Sequence, residues 1–306
     1  MGIRFDNRVV VITGAGGGLG RIYALNLASL GAKVVVNDPG GAVDGKGGDS
    51  AVADKVVAEI MAAGGQAVAS YDSVATEAGA KAIVDTAVKA FGRLDALVNN
   101  AGILRDKSFA KMEMPDFESV MQVHFMGSVY CTKAAFPVMK EQKFGRIVFT
   151  TSMAGLVGNF GQANYASAKT AMLGLMNVLK VEGGKDNILA NCISPVAAET
   201  RMGGSVADPS LAPLMPYIKA EYVAPAVAWL CSEKCNVSGE IVGASGGYYT
   251  AVRFFRSEGV LLPNESVPTV DQFDAAVGQI FDFSKNAPFT GTMRQFQSLM
   301  KAAGKA

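Results

Sequence analysis

Seven short runs rich in valine and isoleucine, bounded by Gly, Asn or Asp, alternate along this chain with longer segments of helical spacing, and that rhythm leaves few folds open. The runs cover residues 8–13, 33–37, 67–71, 94–99, 146–151, 188–193 and 240–242, and the helical segments 19–30, 50–63, 76–91, 115–140, 162–182 and 223–231. Strands separated by helices pair in parallel, because parallel neighbours need a crossover connection. The expectation is therefore α/β: a doubly wound parallel sheet with helices on both faces.

Residues 39–48 hold five glycines and read as a loop. From about Thr250 the rhythm stops. A strand edge is expected near 253–256, a helix over 273–283 behind the capping box Thr269/Gln272, and a last amphipathic helix over 292–303. These divide the chain into a domain at 1–250 and a C-terminal extension at 251–306, expected over a substrate entrance or a dimer interface.

With a net charge of +1 and only 18% charged residues, there is no electrostatic case for nucleic acid. No apolar stretch reaches membrane-spanning length, and residues 1–6 lack the pattern of a secretory signal, so no membrane partner and a cytoplasmic location are expected. Four cysteines are too few for a disulfide framework, and the single histidine, His124, leaves too few ligands for zinc, so no metal site is expected.

Directly after the first strand stands Thr13-Gly14-Ala15-Gly16-Gly17-Gly18-Leu19-Gly20, opening a helix. A strand, a glycine turn and a helix N-terminus present bare N–H groups and the positive helix end to a pyrophosphate, and the spacing Gly14, Gly18, Gly20 carries that signal. Asp38, closing the second strand about 20 residues on, is placed to accept from both ribose hydroxyls and to repel a 2′-phosphate, which favours NAD over NADP. Asp72, with Ser73, either receives the adenine amino group or caps a turn. Asn99-Asn100-Ala101-Gly102 closes the fourth strand, where it would lie over the cofactor.

Tyr165 and Lys169 stand four apart in an expected helix, so they share one face. A phenol with an ordinary pKa near 10 is a poor base at neutral pH, and an adjacent fixed cation favours the phenolate. Ser152, at the end of the fifth strand, is placed to donate to a substrate oxygen as charge develops on it.

In that combination and order, the glycine loop, Asn99–Gly102, Ser152 and Tyr165-Ala166-Ser167-Ala168-Lys169 resemble the short-chain dehydrogenase/reductase family over about residues 5–247. The resemblance implies a Rossmann fold with a seven-stranded sheet, a nicotinamide cofactor at its carboxyl edge, and a homodimer or homotetramer. Further segments, among them Val36–Gly41, Asn99–Phe109, Gly158–Tyr165 and Glu221–Pro225, are similar to the (3R)-hydroxyacyl-CoA dehydrogenase branch of β-oxidation, which is also described as a type of 17β-hydroxysteroid dehydrogenase. That likeness implies oxidation of an acyl-CoA substrate.

Where the family has a helix Asn that completes a catalytic tetrad, this chain has His124, either a relay or a space-filling helix histidine. Ser194-Pro195-Val196 replaces the usual Pro-Gly after the sixth strand; Thr200 stands where a contact to the carboxamide is implied, or as an N-cap. Met202, Leu214 and Met215, with Leu211 and Tyr217, suit either a lid over an acyl chain or a surface loop. Arg105, Lys107, Arg253 and Arg256 are either contacts to CoA phosphates or solvated surface. The chain ends in Lys305-Ala306 without a Ser-Lys-Leu signal, in keeping with a free-standing cytoplasmic enzyme. A hydroxysteroid dehydrogenase, a biosynthetic 3-oxoacyl reductase and a non-catalytic dinucleotide sensor are the alternatives.

Overall fold

Strand β1 (Val9–Thr13) is buried at every position, which is why its sequence is a continuous apolar run rather than an alternating one. β4 (Ala96–Asn99) and β5 (Gly145–Thr150) at the middle of the sheet are likewise buried throughout, around the apolar stretches Ala96-Leu97-Val98 and Ile147-Val148-Phe149. In chain order α1 (Gly18–Ser29), β2 (Lys33–Asn37), α2 (Ala51–Ala62), β3 (Gln66–Ser70) and α3 (Glu77–Phe91) lie between β1 and β4. After them come α4 (Met114–Met121), α5 (Gly127–Gln142), β5, α6 (Met153–Val157), α7 (Ala163–Gly183), β6 (Ile188–Pro195), α8 (Ala224–Cys231) and β7 (Ile241–Ser245).

This computed structural model describes residues 2–45, 47–196, 213, 218–263, 266–288 and 300, and the chain forms two compact units, Met1–Ala251 and Val252–Ala306. In the first unit the strand order is β3-β2-β1-β4-β5-β6-β7-β8, with β1 to β7 parallel. Val10 lies opposite both Val34 and Ala96, and Val98 opposite Val148. The eighth strand, β8 (Tyr248–Val252), was not expected. It follows β7 through Gly246 and Gly247, both at positive φ (54° and 81°), the backbone of a two-residue hairpin turn, so it closes that end of the sheet antiparallel.

Helices α1, α2 and α8 bury Tyr23, Leu27, Val56, Ile60, Val227 and Leu230 against one face of the sheet. On the other, α3, α5 and α7 bury Ile83, Met139 and Met172. Each of the aliphatic and methionine side chains among these contributes about 1.5–3 kcal/mol of transfer free energy. The single helix expected over 115–140 is instead α4 and α5 joined by a turn of π-helix, Gln122–Met126, that carries the buried His124.

All four cysteines are buried free thiols. Burial pushes the Cys131 and Cys192 thiols up to about 12, and those of Cys231 and Cys235 upward as well. Among the described residues no helix is long and apolar enough to cross a membrane, and no three His, Cys, Asp or Glu side chains are grouped to hold a metal.

In the second unit, β9 (Phe255–Ser257) pairs antiparallel with β10 (Asn286–Pro288), and between them lies α9 (Val270–Ile280). The capping box is present: Thr269 Oγ1 accepts from the Gln272 N–H at 3.2 Å, and Gln272 Oε1 from the Thr269 N–H at 2.8 Å. Ser257 Oγ donates to the Ile280 carbonyl, tying strand to helix. Of the segment 292–303, where a last helix was expected, only Met300 is described.

Candidate active site

From β1 the chain builds the sheet outward through β2 and β3, then returns to place β4 on the other side of β1. The crevice beyond the carboxyl ends of β1 and β4 is therefore the switch point at which open α/β sheets bind ligands. It holds a cleft of about 350 Å³. Of the candidates named from the sequence, Gly14, Gly18, Leu19, Asp38, Ser73, Asn100, Ala101 and Gly102 line it; Asn37, Val74, Ile103 and Val123 also line it.

The glycines are needed for space. Gly14 has φ +64°, and a Cβ on it would come within 2.8 Å of the Ala101 Cα. Thr13 Oγ1 accepts from the N–H groups of Asn100 and Ala101 at 3.0 and 3.1 Å, while Asn100 Nδ2 donates to the carbonyls of Thr13 and Gly14, fastening the two strand ends together. Among the described residues no side chain caps α1, whose N-cap is Gly17, and its first-turn N–H groups have no side-chain acceptor there.

Asp38 is buried. Its Oδ2 accepts from the Gly16 N–H at 2.9 Å and its Oδ1 from the Gly40 N–H at 2.7 Å, which orients the carboxylate at the cleft wall. Each oxygen keeps a second acceptor site. Asp72 is exposed and not part of the cleft lining; its carbonyl accepts from Asn37 Nδ2, while Ser73 caps the Ala75 N–H. Asn99 sits behind the cleft, its amide donating to Thr132 Oγ1. Thr200, Met202, Leu214 and Met215, with Leu211 and Tyr217, lie outside the described residues.

Ser152 is the N-cap of α6, accepting from the Ala154 N–H at 3.2 Å. Lys169 is buried on α7; its Nζ donates to the Thr150 carbonyl at 2.6 Å and lies 5.4 Å from the centroid of the Tyr165 ring. Burial pushes the lysine down to about 7. Burial also pushes the Tyr165 phenol up, and a hydrogen bond with Ser152 pulls it back. Ser152, Tyr165 and Lys169 thus converge, as their spacing in the sequence led one to expect.

His124 meets Tyr165 edge-on, with ring centroids 5.3 Å apart, and its Nε2 lies within hydrogen-bond distance of both the Ile103 N–H and the Ile103 carbonyl, while its Nδ1 has no partner among the described residues. Burial, then the charge of Lys169, holds its pKa well below the usual value, so the ring is neutral. A Cβ on Gly102 would come within 2.1 Å of His124 Cε1, which explains the glycine there. Arg105 and Lys107 are both paired with Asp116, at 3.1 and 3.4 Å.

The lysine has a consequence for stability. Below about pH 7 folded and unfolded chains both hold its proton, and the folded state bears the full cost of a buried charge. Between about 7 and the usual lysine value only the unfolded chain holds it, so this group makes stability rise with pH across that window. Lys169→Met is accordingly expected to raise the melting temperature of the cofactor-free protein more at pH 6 than at pH 9, relative to the parent at each pH. Equal shifts at both would refute the buried charge.

A glycine cradle at the switch point with serine, tyrosine and lysine beside it is the architecture of a dinucleotide-dependent oxidoreductase acting on a CH–OH group. The chain belongs to the short chain dehydrogenase family, whose model matches residues 8–210. A short-chain type dehydrogenase/reductase of Mycobacterium tuberculosis is 48% identical, covering 91% of this chain and 96% of the relative. The peroxisomal multifunctional enzyme type 2 of Drosophila melanogaster is 45% identical over 99% of this chain, which spans about half of that enzyme's length (51%). Its full-length structure superposes with a TM-score of 0.82 at 37% identity, covering 99% of this chain and 50% of that one. A 7α-hydroxysteroid dehydrogenase complexed with NADH and 7-oxo glycochenodeoxycholic acid superposes with a TM-score of 0.72 at 33% identity, covering 80% of this chain and 95% of that one.

Proposed function

We propose that this chain oxidises a (3R)-3-hydroxyacyl-CoA to the 3-oxoacyl-CoA with NAD, as in β-oxidation. The observation that carries the reading is the buried Lys169 amine beside the Tyr165 ring, with Ser152 close enough to draw the phenol's pKa down, on the sheet edge that holds the cradle. The likeness to the Drosophila peroxisomal enzyme supports the substrate class.

The bound dinucleotide supplies the hydride acceptor. Tyr165 takes the proton of the substrate hydroxyl, and Ser152 donates to the same oxygen, fixing it in place. As the phenol ionises, its charge and that of Lys169 favour one another, so the two titrate as a pair. Lys169 also holds the nicotinamide ribose, with Asn99, Ala101 and Gly102 over the cofactor and Asp72 and Ser73 at its adenine end. His124, neutral and bonded to Ile103, supports the Tyr165 ring rather than carrying a proton.

An NAD-reduction assay over (3R)- and (3S)-hydroxyacyl-CoA esters of increasing length, with a hydroxysteroid alongside, tests the assignment. Preference for the (3S) series would overturn it. Preference for the steroid would establish the second reading, hydroxysteroid oxidation, which the likeness to the 7α-hydroxysteroid dehydrogenase favours.

The use of NAD rests on Asp38, whose carboxylate would face a 2′-phosphate. Asp38→Ser is expected to lower the preference for NAD over NADP by about ten-fold or more, equivalent to about 1.4 kcal/mol, measured as the ratio of kcat/KM values. An unchanged ratio would remove Asp38 from cofactor selection. The reading includes a cytoplasmic enzyme, a dimer or tetramer in solution, and an extension from residue 251 that acts in chain-length preference or assembly. A chain truncated after Thr250, compared in sedimentation and in the same assay, tests the last two.

A further inference from the structure

We propose that residues 103–107, the connection leaving β4, couple closure of the glycine loop over the cofactor cleft to the placement of Tyr165, with Arg105 and Asn164 as the positioning residues. The inference rests on reading the cleft as the dinucleotide site.

The loop between β2 and α2 is a strap with closed ends. The Asp49 N–H donates to the Gly40 carbonyl at 3.2 Å, and a Cβ on Gly40 would come within 2.1 Å of the Asp49 backbone. Between those ends Gly41, Ala42, Val43, Gly45 and Gly47 line the cleft. The tip is moored on the β4 side: the Val43 carbonyl accepts from the Leu104 N–H at 3.0 Å, the Asp44 carbonyl from Arg105 Nε at 3.0 Å, and Gly45 packs on the Ile103 side chain. The cleft therefore has a roof reaching from β2 to the connection after β4.

That same connection grips the start of α7. The Arg105 carbonyl accepts from Asn164 Nδ2 at 2.9 Å, and Asn164 Oδ1 accepts from the Tyr165 N–H at 2.7 Å. Asn164 is fully buried, so neither bond has water as a ready substitute. The Lys107 N–H donates to the Gly161 carbonyl, and Gln162 Nε2 donates to Asp106 Oδ2.

Arg105 is common to both sides. Its Nε holds the strap, its Nη1 reaches Asp116 and Ser119 on α4, and its carbonyl holds the residue that fixes the tyrosine backbone. A guanidinium engaged through two of its nitrogens is a rigid fork, so movement of the strap is transmitted to the backbone of residue 105 rather than absorbed by the side chain. A dinucleotide that enters or leaves must disturb the strap, and the strap's mooring is one bond from Asn164.

The test separates binding from chemistry. NADH release is followed by stopped flow without substrate, and hydride transfer by single turnover at saturating NAD with the substrate selected above. Arg105→Ala is expected to speed NADH release by about ten-fold or more, and Arg105→Lys, which keeps the ion pair with Asp116 but cannot span both partners, by less. Asn164→Ala, or Asn164→Ser should the alanine variant not fold, is expected to slow hydride transfer by about ten-fold while leaving NADH release within about two-fold. Arg105→Ala also slows hydride transfer, and the double substitution loses less than the product of the two single effects.

Multiplying losses, or an Arg105→Ala chain that transfers hydride like the parent, would overturn the coupling. The parent chain provides a measurement independent of substitution: NADH is expected to slow amide exchange in peptides spanning 41–45, 103–107 and 161–167 together. Protection confined to 41–45 would also overturn it. A parent that does not bind NADH refutes the reading of the cleft instead.

Discussion

Tyr165→Phe is expected to lower kcat by a factor on the order of a thousand or more while the affinity for NADH stays within about two-fold, because positioned proton transfer is worth about 10²–10⁴ in rate. The substitution removes one oxygen. The ring keeps its edge contact with His124, the backbone bond to Asn164 is untouched, Lys169 is unaltered, and the glycine cradle belongs to β1, α1 and β4. Ser152 cannot substitute for the phenol, since its hydroxyl is a far weaker acid and caps α6. Paired NADH titration and steady-state kinetics, with far-UV circular dichroism as a check on folding, measure both quantities. A Phe variant retaining a tenth of the parent's kcat would remove Tyr165 from proton transfer.

Gly20→Ala is expected to weaken NADH binding by about a hundred-fold, equivalent to about 2.7 kcal/mol. Helix propensity alone favours alanine by about 1 kcal/mol, since Gly20 lies inside α1. The contacts point the other way. A Cβ at Gly20 would come within 2.2 Å of the Gly14 carbonyl oxygen, 2.7 Å of Asn100 Nδ2 and 2.9 Å of the Ala15 Cα. Two of the three are backbone atoms of the turn itself, so the helix must lift from the turn and carry its N–H groups away from the position a pyrophosphate needs. Isothermal titration with NADH measures the loss. Binding equal to the parent's would mean that α1 does not sit on the turn in this way.

The parts of the fold that depend on local pattern were legible in the sequence. β1, β4 and β5 are buried on both faces, so each carries consecutive apolar residues rather than an alternation, and the glycine turn is recognisable because its position between a strand and a helix is fixed. β8 was missed because none of its side chains is buried and it presents no apolar face to a core, although Gly246-Gly247 is a two-residue hairpin signal. The π turn at Gln122–Met126 leaves helical spacing nearly unchanged on either side, so one long helix was the natural reading.

At the site, Tyr165 and Lys169 were legible as one helix face. The strap was not, because its moorings join Val43 and Asp44 to Leu104 and Arg105, more than fifty residues away, and three of the four bonded groups are backbone. Arg105 accordingly read as a contact to CoA phosphates or as solvated surface, whereas it is shared among Asp116, Ser119 and the strap. The clash that makes Gly102 a glycine involves a histidine on a different element, which no local pattern announces.

The four sequestered thiols make the molecule a clock for its own opening. Cys131 lies on α5, Cys192 on β6 and Cys231 at the end of α8, with Cys235 just beyond, so they sample separate layers of one unit. With their sulfurs held protonated and out of reach, an alkylating reagent modifies each only as often as its layer comes apart. Mass-resolved labelling of the unaltered chain, with and without dinucleotide, therefore reads out which layer breathes first, with no introduced probe.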